Sequence, residues 1–323
     1  MKLIKLISYN LFIVVFLILV VELSIYLLYP EIQLNGTDHQ LLKDSVYYDS
    51  PGLNPKTSGK SNSVEKETNN NGFWKFSSSS EKEKSVLYLG DSVTMGIGVE
   101  NDSTFPGRIN NYSSSDQILN ISLIGYSIYD YDNIVRKLFV EDNLLEIDEV
   151  NMFWCLNDIY SVPLGDESPE MKNSFLLSDM LQFLRTNSRI YQLLKATFTD
   201  RPKTYFLYDV QYYKEDKTEL IDAVKKILSI RRTLLERGIG FKLYLLPYEY
   251  QLRMGIIDKK SPTSIFYKKI KSADDSLLVT DLTPILYKQM SNSTNDYFLY
   301  GDGIHFSING HKIIYEVLTR LNN

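Results

Sequence analysis

The tripeptide Gly90-Asp91-Ser92 follows directly on the apolar run Val86-Leu87-Tyr88-Leu89, and far downstream the segment Asp302-Gly303-Ile304-His305 sets an aspartate three residues before a histidine. A buried strand that ends in a tight glycine turn presents Ser92 at its tip, and Asp302 is spaced to hold the His305 imidazole beside it. A hydroxyl is a weak nucleophile at its own pKa. It needs an adjacent base, and the base needs a third group to fix its tautomer. These are the parts of a serine nucleophile system, and the chemistry they would support is acyl transfer at an ester. Of the three histidines, His39 falls in a polar stretch and His311 in the first turn of a helix, so His305 has the better local partner.

The elements that must position these residues are readable after residue 84. Short apolar runs at Val86 to Leu89, Ile118 to Leu123, Val150 to Trp154, Phe241 to Leu246 and Leu277 to Thr280 predict strands. Between them, Tyr129 to Val140, Met180 to Ala196, Glu219 to Arg237 and Pro284 to Met290 predict helices, with a last helix from Ile308 to Leu321. Continuous apolar strands separated by helices imply a parallel sheet covered on both faces. Sites in such sheets lie beyond the carboxyl ends of the strands. Ser92, Gly125 and Asn157 each fall within a few residues of a predicted strand end, so they would converge on one edge. The aromatic, less regular segment 160–213 is expected to form a flap over that edge.

Upstream the chain changes character. Leu11 to Leu28 reads LFIVVFLILVVELSIYLL, apolar except for Glu22 and Ser24. At about 1.5 Å per residue, and extended back to Leu6, it spans a bilayer core of about 30 Å. Lys2 and Lys5 precede it and the first charges after it are Glu31 and Asp38, which places the N-terminus in the cytoplasm and everything after Tyr29 outside. The region around Glu22-Leu23-Ser24-Ile25-Tyr26 offers no small-residue cleavage pattern, so an uncleaved anchor is expected rather than a signal peptide. Glu22, near the outer end, is expected to reach the interface. Residues 1–29 then form a cytoplasmic tip and transmembrane anchor, 30–84 a loosely ordered tether and lead-in, and 85–323 a catalytic domain. Within the lead-in, Asn71-Gly72-Phe73-Trp74-Lys75-Phe76 carries aromatics suited to docking on that domain.

Composition narrows the classes. The chain has 323 residues, is 44% hydrophobic and carries a net charge of -5, so it can bury a full core and has no basic footprint for nucleic acid. Cys155 is the single cysteine, which excludes an intrachain disulfide and a thiolate zinc cluster. No cofactor or metal is expected, although Asp302 and His305 together could coordinate one ion.

Taken in context, the blocks LGDSVTMGIGV (Leu89 to Val99), ISLIGYS (Ile121 to Ser127), FWCLND (Phe153 to Asp158) and DGIHFSINGH (Asp302 to His311) resemble the SGNH hydrolase family, also called GDSL-type esterases. The resemblance runs from about residue 71 to the C-terminus. It extends to the Asn-Gly-Phe of the lead-in, as in membrane-anchored bacterial members. It implies a three-layer α/β/α sandwich on a mostly parallel five-stranded sheet, flavodoxin-like, here preceded by one transmembrane helix. It further implies Ser92 as nucleophile, His305 as general base and acid, and Asp302 as its orienting residue. The oxyanion hole would be the backbone N–H of Ser92, the backbone N–H of Gly125 and the side-chain amide of Asn157, with Asp91 bracing the turn. One position departs: Cys155 stands where the family often has glycine, which suggests an altered backbone path near Asn157.

The expected activity is hydrolysis of an extracytoplasmic ester, such as O-acyl groups of a cell-envelope or exported polysaccharide. With a sugar hydroxyl as acceptor the same triad would make an O-acetyltransferase, and a non-catalytic envelope scaffold is the alternative from another class. Tyr126, Tyr129, Tyr131, Tyr297 and Tyr300 flank the blocks and could stack on sugar rings. The residues do not specify a protein partner.

Overall fold

The computed structural model describes residues 2–78, 82–113, 115–142, 146–160 and 175–322. The apolar N-terminal run forms one helix, α1 (Lys2–Leu28). Its Ile4–Leu28 stretch is long and apolar enough to cross a membrane by length and composition, a property shared by anchors and signal sequences. Glu22 is held rather than free. It accepts hydrogen bonds from the backbone N–H of Arg189, that of Ile190 (3.1 Å) and Ser188 Oγ (3.2 Å), at the start of a helix in the sheet domain.

The segment expected to be a loose tether is instead built from two hairpins. Strand β1 (Leu42–Tyr47) pairs antiparallel with β2 (Ser50–Leu53), and β3 (Ser58–Ser61) with β4 (Val64–Glu67). The second hairpin turns on Asn62 and Ser63, both at positive φ (46° and 67°), as a two-residue primed turn requires. Neither hairpin shows an alternating apolar pattern, which is why periodicity missed them. Lys66 of β4 is buried with its ammonium on Met95 O (2.9 Å) and Asn101 Oδ1 (3.2 Å), 5.2 Å from the Trp74 ring centre, and burial pulls its pKa down to about 7. The aromatics of the lead-in dock as expected: Phe73, Trp74 and Phe76 are buried, and Trp74 Nε1 donates to Ser122 O at 2.8 Å.

The main sheet contains β5 (Lys84–Gly90), β6 (Asp116–Asn120), β7 (Glu149–Trp154), β8 (Gly240–Leu245) and β9 (Leu278–Asp281). They run in the order β6-β5-β7-β8-β9 with every pairing parallel. All five were read from the sequence to within a few residues; the central β5, β7 and β8 are largely buried and apolar, while the edge strands β6 and β9 are less so and were read from shorter apolar cores.

Short helix α2 (Ser92–Met95) follows β5, α3 (Phe105–Tyr112) precedes β6, and α4 (Ile128–Val135) follows it. The predicted Met180 to Ala196 helix is two, α5 (Phe175–Asn187) and α6 (Arg189–Phe198), separated where Ser188 turns its hydroxyl to the N–H of Tyr191. Next come α7 (Arg201–Asp209), α8 (Thr218–Leu235), α9 (Glu249–Arg253) and α10 (Pro262–Ala273). The chain ends with α11 (Thr283–Met290), α12 (Thr294–Tyr297) and α13 (Ile308–Asn322). Helices α4, α8 and α10 pack together, and α3, α11 and α13 form a second group, giving the α/β/α layering. Because β5 lies between β6 and β7, the connection from β5 runs toward β6 while that from the adjacent β7 runs the opposite way toward β8. The crevice this opens at the strands' carboxyl ends is where open α/β sheets place their ligands.

Candidate active site

Strand β5 ends at Gly90, where a Cβ would lie 2.3 Å from Thr94 Oγ1 and 3.1 Å from Phe153 O, so only glycine lets the chain turn this tightly. Asp91 then caps α2, its Oδ1 accepting from the Val93 N–H at 2.9 Å. Ser92 is the first residue of that helix, and the first N–H groups of any helix have no partner inside it. Among the described residues none accepts from the Ser92 N–H.

The C-terminal loop reaches over the same crevice. His305 Nε2 lies 2.8 Å from Ser92 Oγ, and His305 Nδ1 lies 2.9 Å from Asp302 Oδ1. The same Asp302 oxygen accepts the backbone N–H of Ile304 and of His305, each at 2.9 Å, which fixes the carboxylate before it meets the ring. Burial alone would raise the Asp302 pKa, but the charged imidazole, its hydrogen bonds and the Arg201 guanidinium outweigh it and hold the carboxyl well below the usual range. For His305 burial pulls downward, and the Asp302 carboxylate beside it outweighs that and raises the pKa above the ordinary imidazole value. With Nδ1–H donated to Asp302, Nε2 presents its lone pair to the serine hydroxyl.

Gly125 follows β6 in the turn Leu123 to Tyr126, closed by the Tyr126 N–H on Leu123 O at 3.3 Å. It occupies the third turn position at φ 80°, which glycine adopts without strain. Asn157 follows β7, and its Nδ2 donates to Asp91 Oδ2 at 3.1 Å. A primary amide has two N–H donors, so one fixes the side chain on Asp91 and a second remains. Ser92 Oγ, the oriented His305 base and the Asn157 amide held on Asp91 therefore share one crevice, and the turn carrying Gly125 is tied to the end of β5 by the Leu123 N–H on Gly90 O at 3.4 Å. Cys155 is buried in ordinary extended backbone (φ −104°, ψ 164°), a conformation open to any side chain.

A buried layer beneath the site carried no sequence signal. Asn157 Oδ1 lies 2.9 Å from Tyr248 Oη, which lies 2.6 Å from Asp209 Oδ2, while Tyr160 Oη donates to Asp209 Oδ1 at 2.5 Å. Asp158 accepts from Cys155 N and Tyr131 Oη, each at 2.9 Å, and burial, then the charge of Asp91, pushes its pKa far up. Burial likewise raises Asp91, and it lifts Asp209 to about 6. Nothing in the spacing of these acids and tyrosines marks them; only burial does.

Of the five tyrosines that could stack on sugar rings, Tyr126 and Tyr131 are core residues, with hydroxyls on Pro51 O (2.6 Å) and Asp158 (2.9 Å), and Tyr297 is partly buried against the core. Tyr129 and Tyr300 are exposed. The predicted flap lies partly outside the described residues, at 161–174. Its described part is helical, and it sends Asp209 and Tyr213 under the site rather than only across it. A cavity of about 500 Å³ opens behind the Asp302 loop, lined by Phe198, Asp200, Arg253 and Tyr300 but not by Ser92 or His305.

No protein-family model matches the chain, and no curated protein matches it. Among solved structures it is similar to a lipolytic protein of the G-D-S-L family from Veillonella parvula, at 13% identity over 73% of this chain and 99% of that one, with a TM-score of 0.43. It is similar to a lipase/acylhydrolase from Enterococcus faecalis at 18% identity, over 73% of this chain and 94% of that one, with a TM-score of 0.40. It is also similar to a variant of a Geobacillus acetyl-xylooligosaccharide esterase at 14% identity, over 74% of this chain and 94% of that one, with a TM-score of 0.44.

Proposed function

We propose that this chain is a serine ester hydrolase of the SGNH type, anchored in a membrane by α1 and acting on an extracytoplasmic ester. The observation that supports the reading best is the hydrogen-bonded line from Asp302 through both ring nitrogens of His305 to Ser92 Oγ, at 2.9 and 2.8 Å, ending at the switch point of the sheet. In the first half-reaction Ser92 Oγ attacks the ester carbonyl carbon while its proton passes to His305 Nε2, and Asp302 stabilises the imidazolium that forms. Charge on the carbonyl oxygen is met by the Ser92 N–H, the Gly125 N–H and the second Asn157 N–H, each such donor contributing about 2.7–4 kcal/mol in the transition state. Collapse breaks the bond to the alcohol, which departs with the proton from Nε2 and leaves the acyl group on Oγ. Water activated by His305 then releases the acid and restores Ser92.

The finer reading is a substrate outside the cytoplasm, namely O-acyl groups of an envelope or exported polysaccharide. It is supported by the apolar length of α1 and by Lys2 and Lys5 before it against Glu31 and Asp38 after it, a bias that orients the N-terminus inward. Exposed Tyr300 offers a ring face for a saccharide.

The test is hydrolysis of p-nitrophenyl acetate by the full chain in detergent, repeated with an O-acetylated polysaccharide and a free oligosaccharide acceptor. Ser92→Ala and His305→Ala should each lower turnover by about a thousandfold or more. Free acetate identifies a hydrolase and an acetylated oligosaccharide an O-acetyltransferase. A folded Ser92→Ala chain with unchanged turnover would end the enzymatic reading and favour a scaffold.

A further inference from the structure

The buried layer behind Asn157 contains a proton-counting problem. Tyr248 Oη carries one hydrogen yet sits between two acceptors, Asn157 Oδ1 at 2.9 Å and Asp209 Oδ2 at 2.6 Å. If Asp209 is ionised, its charge captures the Tyr248 proton, because a bond to a carboxylate is roughly twice as strong as a neutral one. Asn157 Oδ1 then faces an oxygen lone pair. Turning the amide over does not help, since its oxygen would meet Asp91 Oδ2 where Nδ2 now donates at 3.1 Å. With one proton on Asp209 every contact is satisfied. Asp209 donates to Tyr248, Tyr248 donates to Asn157 Oδ1, and Asn157 Nδ2 donates to Asp91 with its second N–H left for the crevice. Tyr160 donates to the other Asp209 oxygen.

From this geometry we infer that Asp209 and Tyr248 are positioning residues, in which a neutral Asp209 carboxylic acid orients the Asn157 amide toward the oxyanion through the Tyr248 hydroxyl. The inference rests on the reading of Asn157 as an oxyanion donor. Burial shifts Asp209 toward the acid form, lifting its pKa to about 6. The groups facing it are Tyr160 and Tyr248, with Tyr212 and Tyr213 from its own side and Cys155 and Asp158 from the turn after β7. None of these brings a positive charge that would favour the carboxylate, and ionisation of any of them would add negative charge and oppose that of Asp209. The sign follows. Raising the pH through the Asp209 pKa removes the proton, disorders the donor and lowers kcat; because that pKa lies below the raised one of His305, the form with both groups neutral is most populated between the two values, and kcat peaks there before falling on the alkaline side.

The experiment is the pH profile of kcat and KM for p-nitrophenyl acetate in the full-length wild type, Asp209→Asn, Asp209→Ala and Tyr248→Phe, with thermal melts to establish folding. An asparagine amide donates to Tyr248 and cannot ionise, so Asp209→Asn should lose the alkaline limb and keep at least tenfold more kcat than Asp209→Ala. Tyr248→Phe should lower kcat about tenfold or more with KM little changed, because the donor acts in the transition state. Should one variant fail to fold, the other carries the test. Ser92-dependent turnover with the wild-type alkaline limb intact in Asp209→Asn, or with unchanged kcat in Tyr248→Phe, would overturn this inference alone. Absence of Ser92-dependent turnover in the wild type would instead overturn the functional reading beneath it.

Discussion

Asp302 fixes both the tautomer and the charge of His305, so one substitution separates the two effects. Asp302→Asn removes the carboxylate that raises the His305 pKa, and the acid limb of kcat/KM should therefore move to lower pH. Turnover should fall by roughly 10⁴-fold, because the amide no longer holds Nδ1 as a donor. A rate profile measured from pH 4 to 9 checks both, and an unmoved limb would show that Asp302 does not set the imidazole. In Asp209→Asn, where no second titration overlaps it, the acid limb should lie above the ordinary imidazole value, since only neutral His305 accepts the serine proton. The three triad residues and the oxyanion candidates were legible because their roles leave local marks: a glycine turn after an apolar strand, an Asp-x-x-His, a glycine or an asparagine just past a strand end. Asp209, Tyr160 and Tyr248 leave none. They belong to 40 acidic residues and 24 tyrosines, and their meeting depends on the packing of α7 against the ends of β7 and β8.

At the scale of elements, the sheet strands were read well because burial dictates apolar runs, most fully in the central β5, β7 and β8, whereas the hairpins upstream of β5 were not read at all. Their turn chemistry explains the failure. Asn62 supplies the first left-handed position of the β3–β4 turn, but Ser63 occupies the second, φ 67°, where glycine would have announced the hairpin. Ser63→Val should lower the thermal midpoint, as left-handed geometry costs a non-glycine residue about 1 kcal/mol or more and the hydroxyl that accepts the Leu34 N–H is lost. Calorimetry decides, and an unchanged midpoint would mean that the turn does not limit the hairpin. A second element was misjudged through its partner. Glu22 was expected to reach the interface, and it instead caps α6, a contact that no one-dimensional pattern encodes. Glu22→Ala should speed hydrogen exchange at the Arg189 and Ile190 amides by roughly two- to thirtyfold, matching the 0.5–2 kcal/mol of a lost cap. Unchanged protection would show that the carboxylate does not hold that helix end.

At the scale of the molecule, the chain joins one apolar helix, a pair of hairpins and a parallel α/β/α sheet so that distant residues share one crevice. Lys66 ties the second hairpin to Met95, three residues past the candidate nucleophile, and Glu22 ties α1 to α6, so neither upstream part hangs free of the sheet domain. Layer architecture was legible from the alternation of strand and helix patterns. The α5–α6 break and the turn of α7 beneath the site were not, because they follow from tertiary packing. The central claim, that Ser92 is the atom acylated, is tested most directly by intact mass spectrometry of the full chain quenched during turnover of p-nitrophenyl acetate. The account predicts one added acetyl group, mapped to the peptide containing Ser92, absent in Ser92→Ala and in His305→Ala. An acetyl adduct that persists in Ser92→Ala, or turnover without any adduct on Ser92 under rapid quench, would contradict it.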